Sequence, residues 1–176
     1  MDTSRRGGYK LESSNLSTLR FGTHYDVRCI RDDKIVWREE VDNLVVNTGL
    51  EYLLGSAVGN TEKANLYCGL CISSNVEEED TMQSHLFREF TGTSSVERPL
   101  SLFEPGITIN GVASYVATDV QQFIFEPGSL RGIFLTDNKW VGADTGLLFG
   151  VASFTEEKTV ISGDSLLVTI TISAEG

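Results

Sequence analysis

Two cysteines three positions apart have the residue type and spacing that can bind a metal or carry out redox chemistry. Cys68 and Cys71 have the CxxC spacing of zinc and redox sites. Residues 67–72 are predicted to form a strand, in which positions three apart point to opposite faces. A structural zinc site also needs about four ligands, and the sequence has no second CxxC and no two histidines at the close spacing of zinc ligands. The pattern therefore predicts two small buried side chains, with metal or redox use as the alternative.

A serine–histidine pair and a run of acids are the other groups that could do chemistry. Ser84 and His85 are adjacent, but a triad also needs a placed acid and an oxyanion hole, which the sequence does not indicate. Residues 77–80 are four consecutive acids, whereas a calcium loop spaces its oxygen ligands and usually bends at a glycine. Acids are favoured near the positive end of a helix dipole. The run therefore predicts a solvated helix start, and we expect no catalytic residue, no metal and no cofactor.

Charge is distributed unevenly along the chain. Residues 1–22 contain four basic and two acidic side chains, the remainder contains 10 basic and 23 acidic ones, and the net charge is −11. Such an acidic body repels nucleic-acid phosphates, so we expect no nucleic acid as the main partner. No stretch approaches the roughly 18 apolar residues that span a bilayer. The N-terminus lacks the apolar centre of a secretory signal. We therefore expect no membrane partner and folding in a cytoplasm.

Residues 1–22 are predicted to form an extended N-terminal arm, separate from a domain at 23–176. The apolar residues of this segment are too widely spaced for a strand and too many for a plain linker, which indicates a segment that orders on a neighbour. Two interpretations remain open: a basic tail without a docking role, and an arm that docks on an acidic surface of a protein partner. The candidate docking residues are Arg5, Arg6, Lys10, Leu11, Leu16, Leu19, Arg20 and Phe21.

The first half of the domain combines a hairpin with a strand that turns into a helix. The hairpin is expected over 24–41, where apolar and polar residues alternate around an Asp32-Asp33 turn. Residues 44–46 are a short apolar run typical of a covered strand. Asn47 or Thr48 can cap the following helix. The apolar face of that helix is expected to consist of Leu50, Leu53 and Leu54. A second short helix over 80–87 would turn Met82, Leu86 and Phe87 inward.

The sequence of the second half of the domain predicts a series of short strands. An Asn-Gly turn favours a hairpin over 107–113, and residues 122–126 and 130–136 are expected to pair. The last strand places on one face Leu166, Val168, Ile170 and Ile172. About eight or nine short strands with small turns indicate a mainly β fold. We therefore predict an antiparallel β-sandwich, jelly-roll-like or Ig-like, with one or two short helices and the extended arm.

Six collinear segments carry a resemblance to a known family. They are WREEVDNLVVNTGLEYLL at 37–54, YCGL at 67–70, DTMQSH at 80–85, GIFLT at 132–136, TGLLFGVASF at 145–154 and VISGDSLLVTITISA at 160–174. In this order they resemble a family of small structural proteins of tailed-bacteriophage virions. The resemblance extends over residues 24–174 and leaves the arm outside.

The resemblance implies a β-rich, non-enzymatic component of the phage particle. We expect a head decoration (cement) protein on the capsid surface, assembled in the host cytoplasm. Its partner would be the major capsid protein or another virion protein, and the chain itself would form a homo-oligomer, with a trimer favoured. The alternatives are a tail, neck or fibre-associated component, or a carbohydrate-binding module. A module of that kind would use exposed aromatic side chains such as Trp37, Tyr115 or Trp140, although a single tryptophan on an alternating strand is more often part of the core.

Overall fold

The computed structural model describes residues 20–59, 62–73, 75, 77–85, 87–106 and 113–175. Within these ranges the chain forms ten strands and one helix. They are β1 (Arg20–Arg31), β2 (Lys34–Val45), α1 (Asn47–Ala57), β3 (Leu66–Ser73), β4 (Arg88–Glu89), β5 (Leu100–Ser101), β6 (Glu104–Pro105), β7 (Ala113–Phe123), β8 (Gly128–Thr136), β9 (Leu148–Val160) and β10 (Ser165–Glu175). No helix in these ranges is long and apolar enough to cross a membrane.

The strands form two antiparallel sheets that pack face to face. The first sheet has the order β6-β7-β10-β1-β2, and the second has the order β9-β8-β3, with β4 and β5 along the other side of β3. Strand β2 belongs to both sheets, because Leu44 and Val45 at its end pair with Val151 and Gly150 of β9. The predicted antiparallel β-sandwich is confirmed, with β2 joining its two layers at one edge.

The hairpin of β1 and β2 forms as the sequence predicts. Asp32 and Asp33 both have positive φ, at 48° and 59°, which is the backbone of a type I′ turn between twisted strands. Cys29 pairs with Trp37 and Ile30 pairs with Ile35, so Val36 is an extra residue that makes a β-bulge in β2. The bulge lies at the turn end of the first sheet.

The main core lies between the two sheets. The inward residues of β10 are fully buried at Leu166, Val168 and Ile170, as the alternation predicts, and Ile172 packs against the edge of the same core. The hairpin contributes the buried side chains Tyr25, Val27 and Cys29. The inward positions of β3, β8 and β9 face them and include Cys68, Leu70, Ile133, Leu135 and Phe149.

A second, smaller core covers the outer face of the second sheet. Cys71, Phe134, Leu148 and Val151 belong to its strands, and Val46, Met82 and Phe87 complete it. The predicted burial of Met82 and Phe87 is confirmed, at 1% and 2% exposure. The outer face of β3, β8 and β9 is thus packed under chain segments of the same molecule.

The helix predicted over 80–87 is wrong for the residues of that segment that the structure describes. They form turns. Ser84 N–H donates to Thr81 Oγ1, and Thr81 N–H donates to Ser84 Oγ, each at 3.2 Å. Such short side chains offer the backbone local bonds that compete with a helix. The acidic run is not a helix start either, because Glu77 N–H donates to Asp80 Oδ2 in a turn. Leu86 lies outside the described residues.

Helix α1 lies where the sequence predicts it, but the contacts at its first turn differ from the predicted ones. The N-cap residue is Val46, without a side-chain capping bond, so the expected cap at Asn47 or Thr48 is wrong. Thr48 Oγ1 instead donates to the carbonyl of Leu148 in β9 at 2.6 Å. Tyr52 packs edge-on against Phe149. The predicted apolar face is only partly right, since Leu54 is 54% exposed.

The chain crosses between the sheets after β7. Residues 122–126 and 130–136 do not pair as predicted, because β7 pairs with β10 in the first sheet and β8 pairs with β3 and β9 in the second. Local turn signals cannot show that successive strands lie in different layers. The hairpin predicted over 107–113 has residues 107–112 outside the described part, and the flanking strands β6 and β7 pair antiparallel.

Candidate interaction surface

The cysteines are buried hydrophobic side chains in the structure. Cys68 lies in the main core and Cys71 in the second core, so they occupy opposite faces of β3 as their spacing predicts. Burial raises the pKa of the Cys68 thiol to about 12 and that of Cys71 well above its ordinary value. Thiols in this state are protonated at neutral pH and are poor nucleophiles and ligands. No group of three or more His, Cys, Asp or Glu side chains among the described residues could hold a metal ion.

The serine–histidine pair is used in local structure. Ser84 bonds to Thr81 through its hydroxyl at 2.9 Å. His85 borders a cleft of about 290 Å³. Its Nδ1 bonds to the carbonyl of Phe87 at 2.6 Å, and its ring stacks on the Phe87 ring with centroids 3.8 Å apart. These contacts fix the loop over the second core and give neither side chain a catalytic partner.

A buried carboxylate ties two turns together at one end of the sandwich. Asp164 is fully buried and accepts from Arg31 Nε at 2.7 Å and from Arg31 Nη2 at 2.8 Å. It also accepts from Ile161 N–H at 2.9 Å. The Arg31 guanidinium holds the pKa of Asp164 below its ordinary value. The pair fastens the β9–β10 turn to the β1–β2 turn, which makes it structural.

A buried arginine fixes two loops on the second sheet. Arg98 donates to both carboxylate oxygens of Glu89, at 2.7 and 2.8 Å, and to the carbonyls of Asn138 and Ala143. Its guanidinium lies 5.2 Å from the centre of the Phe134 ring. The bidentate pair ties the segment before β5 to β4, and the two bonds to carbonyl oxygens hold that segment against the loop after β8.

The three candidate aromatic residues sit in three different surroundings. Trp37 packs edge-on against Phe154 in the core margin, and its indole N–H donates to the Thr159 carbonyl at 3.2 Å. Trp140 is 49% exposed, and Lys139 Nζ lies 4.4 Å from its ring centre. Tyr115 is 53% exposed on β7. The three residues lie on β2, on the loop after β8 and on β7, so they do not form one sugar-stacking platform.

The outer face of the first sheet is a regular surface that the described residues leave uncovered. We call it the open face. It is formed by the outward side chains of β2, β1, β10 and β7. In β2 these are Ile35, Arg38, Glu40 and Asp42, and in β1 they are Ile30, Arg28, Asp26 and His24. In β10 they are Ser165, Leu167, Thr169, Thr171 and Ser173, and in β7 they are Phe123, Gln121, Val116 and Ser114.

An apolar row crosses the open face beside the turn end. The strand register places Ile35, Ile30, Ser165 and Phe123 side by side on four neighbouring strands. Ile35 is 58% exposed and Phe123 is 53% exposed. Leu167 lies next to this row on β10. Exposed apolar residues that are contiguous mark interaction sites more often than scattered ones do.

The charged residues of the open face lie on β1, on β2 and on β7, where a bulge opposite Thr169 presents the exposed Asp119. Arg38 donates to both oxygens of Asp26, at 2.8 and 3.1 Å, and Arg38 Nη2 lies 2.6 Å from Glu40. His24 Nδ1 lies 3.0 Å from Asp42. From Ser165 to Ser173 the outward residues of β10 carry no charge. The β1–β2 half of the face is thus a lattice of ion pairs, and the β10–β7 half is hydroxyl-rich and apolar except for Asp119.

The N-terminal segment joins the body at the first sheet. Arg20 and Phe21, two of the candidate docking residues, begin β1, where they pair with Glu175 and Ala174 of β10. The first strand therefore starts before the predicted domain boundary at residue 23. The other candidates lie outside the described residues. They are Arg5, Arg6, Lys10, Leu11, Leu16 and Leu19.

The fold places the molecule in the class of antiparallel β-sandwich proteins. No protein-family model, no curated protein and no solved structure matches the chain.

Proposed function

We propose that the chain is a non-enzymatic structural protein of a tailed-bacteriophage virion, and in particular a capsid decoration protein that binds the assembled head lattice. The observation that carries the proposal is the open face, a regular sheet surface with an exposed apolar row. The charged residues that could do chemistry, Asp164, Arg98 and Glu89, are used inside the fold. The resemblance of the sequence to structural proteins of tailed bacteriophages supports the phage virion as the particle to which the chain belongs.

The N-terminal segment suits this role. Nineteen residues precede β1, and an extended chain of that length spans roughly 60 Å. A segment of this length can reach a surface well beyond the sheet from which it leaves. The segment is basic whereas the body is acidic, so the two can serve different partners, the segment docking on an acidic surface of the major capsid protein. Binding that occurs only on the assembled lattice stabilises it by mass action, and several linked contacts add to the effect.

A deletion phage tests the function. Particles of the encoding phage that lack this protein should form and adsorb normally but should release their DNA at a lower temperature or after milder osmotic shock. Supplying the full-length chain in trans should restore the heat resistance. Normal heat resistance combined with missing tails or lost adsorption would instead assign the chain to the tail, neck or fibres and would overturn the decoration role.

A truncated chain tests the arm. Deleting residues 1–19 leaves β1 intact from Arg20 onward, so the body should fold with an unchanged far-ultraviolet spectrum. Its occupancy on purified heads should fall. Undiminished occupancy of the truncated chain would remove the arm from the docking mechanism.

A further inference from the structure

A cleft of about 260 Å³ opens at the side of the sandwich where the β7 edge of the first sheet approaches the β3–β5 edge of the second. We call it the side cleft. It lies between the end of β7 and the segment 93–99, which leads into β5. We propose that the side cleft binds one neutral sugar unit. This inference concerns a small ligand and does not depend on the proposed function.

The wall formed by the segment 93–99 is fastened to both sheets. Ser94 N–H donates to the carbonyl of Phe123 in β7 at 2.9 Å, which ties the segment to the first sheet. Cys68 N–H in β3 donates to the Pro99 carbonyl at 3.0 Å, which ties it to the second sheet. A site whose walls are already ordered loses little conformational entropy when a ligand binds.

A buried amide offers an unpaired acceptor to the side cleft. Gln122 lines the cleft, is 6% exposed, and donates from Nε2 to the Cys68 carbonyl at 3.1 Å. Its amide oxygen has no hydrogen-bond partner among the described residues, and it is not one of their enclosed unpaired atoms. The oxygen is therefore accessible from the cleft, where a ligand hydroxyl can donate to it.

A carboxylate and hydroxyl groups line the same cleft. Lys139 Nζ donates to Glu97 Oε1 at 2.7 Å, and the other carboxylate oxygen of Glu97 has no partner among the described residues. Ser95 Oγ accepts from Glu97 N–H at 3.1 Å, so its own hydrogen is available to donate. The neighbouring Ser94 is exposed. A ligand rich in hydroxyl groups matches this set, because each hydroxyl can both donate and accept.

The charges that border the side cleft cancel, which favours a neutral ligand. Glu97 is paired with Lys139, and the Arg98 guanidinium is paired with Glu89. An anionic ligand would meet the net charge of −11 without an unpaired cation among the described lining residues. A cationic ligand would have to compete with Lys139 for the carboxylate of Glu97. Neutral hydroxyl groups meet neither obstacle.

The size of the side cleft and its apolar part fit one six-membered ring. Pockets for drug-sized ligands have volumes of about 300 to 1,000 Å³, so a cleft of about 260 Å³ suits a single sugar unit. Phe123 and Pro99 border the cleft, and Phe123 is 53% exposed. The C–H groups of a sugar ring can pack on such an apolar border while its hydroxyls reach the polar groups. Trp37, Tyr115 and Trp140 are not among the described lining residues.

NMR on the full chain tests the site. The probes are the methyl glycosides of glucose, galactose, mannose and N-acetylglucosamine, each at about 20 mM, because ligands of this size bind with dissociation constants on the order of millimolar. At least one probe should receive saturation from the protein. It should also shift the backbone amide signals of Ser94, Ser95 and Glu97 and the side-chain amide of Gln122. Saturation of none of the four, or shifts confined to another surface, would overturn the proposal.

Substitutions in the side cleft test its role directly. Ser94→Tyr should abolish binding, because the larger side chain fills the cleft. Phe123→Ala should weaken binding about fivefold through the loss of one aromatic contact. Phe125→Ala is the matched control and should bind like the parent, since Phe125 is 67% exposed but is not among the described lining residues. Thermal unfolding should show that all three variants remain folded, and undiminished binding by Ser94→Tyr or Phe123→Ala would contradict the assignment.

Charged probes test the choice of a neutral ligand. Methyl glucuronoside should bind less tightly than methyl glucoside, because its carboxylate meets an acidic body. Nα-acetyl-lysine amide should also bind less tightly, because Lys139 already occupies Glu97. Tighter binding of the lysine probe than of every sugar would assign the cleft to a basic side chain of a protein partner, and tighter binding of the glucuronoside would assign it to an anion. Either result would overturn the neutral sugar.

Discussion

Replacing Gly49 with alanine should loosen the attachment of α1 to the second sheet. A Cβ atom built on Gly49 overlaps the carbonyl oxygen of Phe149, far inside the 3.4 Å at which ordinary van der Waals contact begins. The obstacle is backbone, so the helix has to move away from β9. That movement stretches the bond from Thr48 Oγ1 to the Leu148 carbonyl and opens the contact between Tyr52 and Phe149.

Two effects of opposite sign set the magnitude. Overpacking against a rigid neighbour costs about 3 kcal/mol, at the upper end of its usual range. Alanine is the better helix former by about 1 kcal/mol. The free energy of unfolding of Gly49→Ala should therefore fall by about 2 kcal/mol relative to the parent.

Urea unfolding followed by tryptophan fluorescence and circular dichroism measures this difference. Glu51→Ala is the control, because Glu51 is exposed on the same helix and its replacement should change stability by about half a kcal/mol or less. If the Gly49→Ala variant were as stable as the parent or more stable, the predicted clash with β9 would be refuted, because helix propensity alone would then determine the free energy of unfolding.

Three further predictions follow from buried groups. Ile170→Ala should lower the free energy of unfolding by about 2–5 kcal/mol, because Ile170 is fully buried; a loss below about half a kcal/mol would remove this face from the core. Asp164→Asn should be less stable than the parent at neutral pH. The pKa of Asp164 is lowered in the fold, so this difference should be full above the pKa of the unfolded chain and should shrink as pH falls through the folded value. Ellman's reagent should label no thiol of the native protein at pH 8 and three after denaturation; a fast-reacting native thiol would contradict the raised pKa of Cys29 and Cys68.

Alternation of residue types predicts most of the strands. The face of β10 with Leu166, Val168 and Ile170 and the Asp32-Asp33 turn follow from local pattern, because side-chain period and turn geometry are local properties. The opposite faces of Cys68 and Cys71 follow in the same way.

Long-range packing is what the local pattern cannot show. Val46, Met82 and Phe87 close the second core although they come from separate segments without a common period. Thr48 caps no helix end because its hydroxyl meets the Leu148 carbonyl, one hundred residues away. The outward residues Thr169 and Thr171 show the alternation of a half-exposed strand, but whether a sheet face is open depends on which loops fold over it.

The most direct test of the proposed function is the position of the chain in the particle. A cryo-electron microscopy map of the encoding phage should show this two-sheet body on the outer surface of the head, at fixed lattice positions, with the segment before Arg20 touching a neighbouring capsid subunit. Density for the body in the tail, neck or fibres would contradict the decoration role. Absence of the chain from purified particles would contradict a virion role altogether.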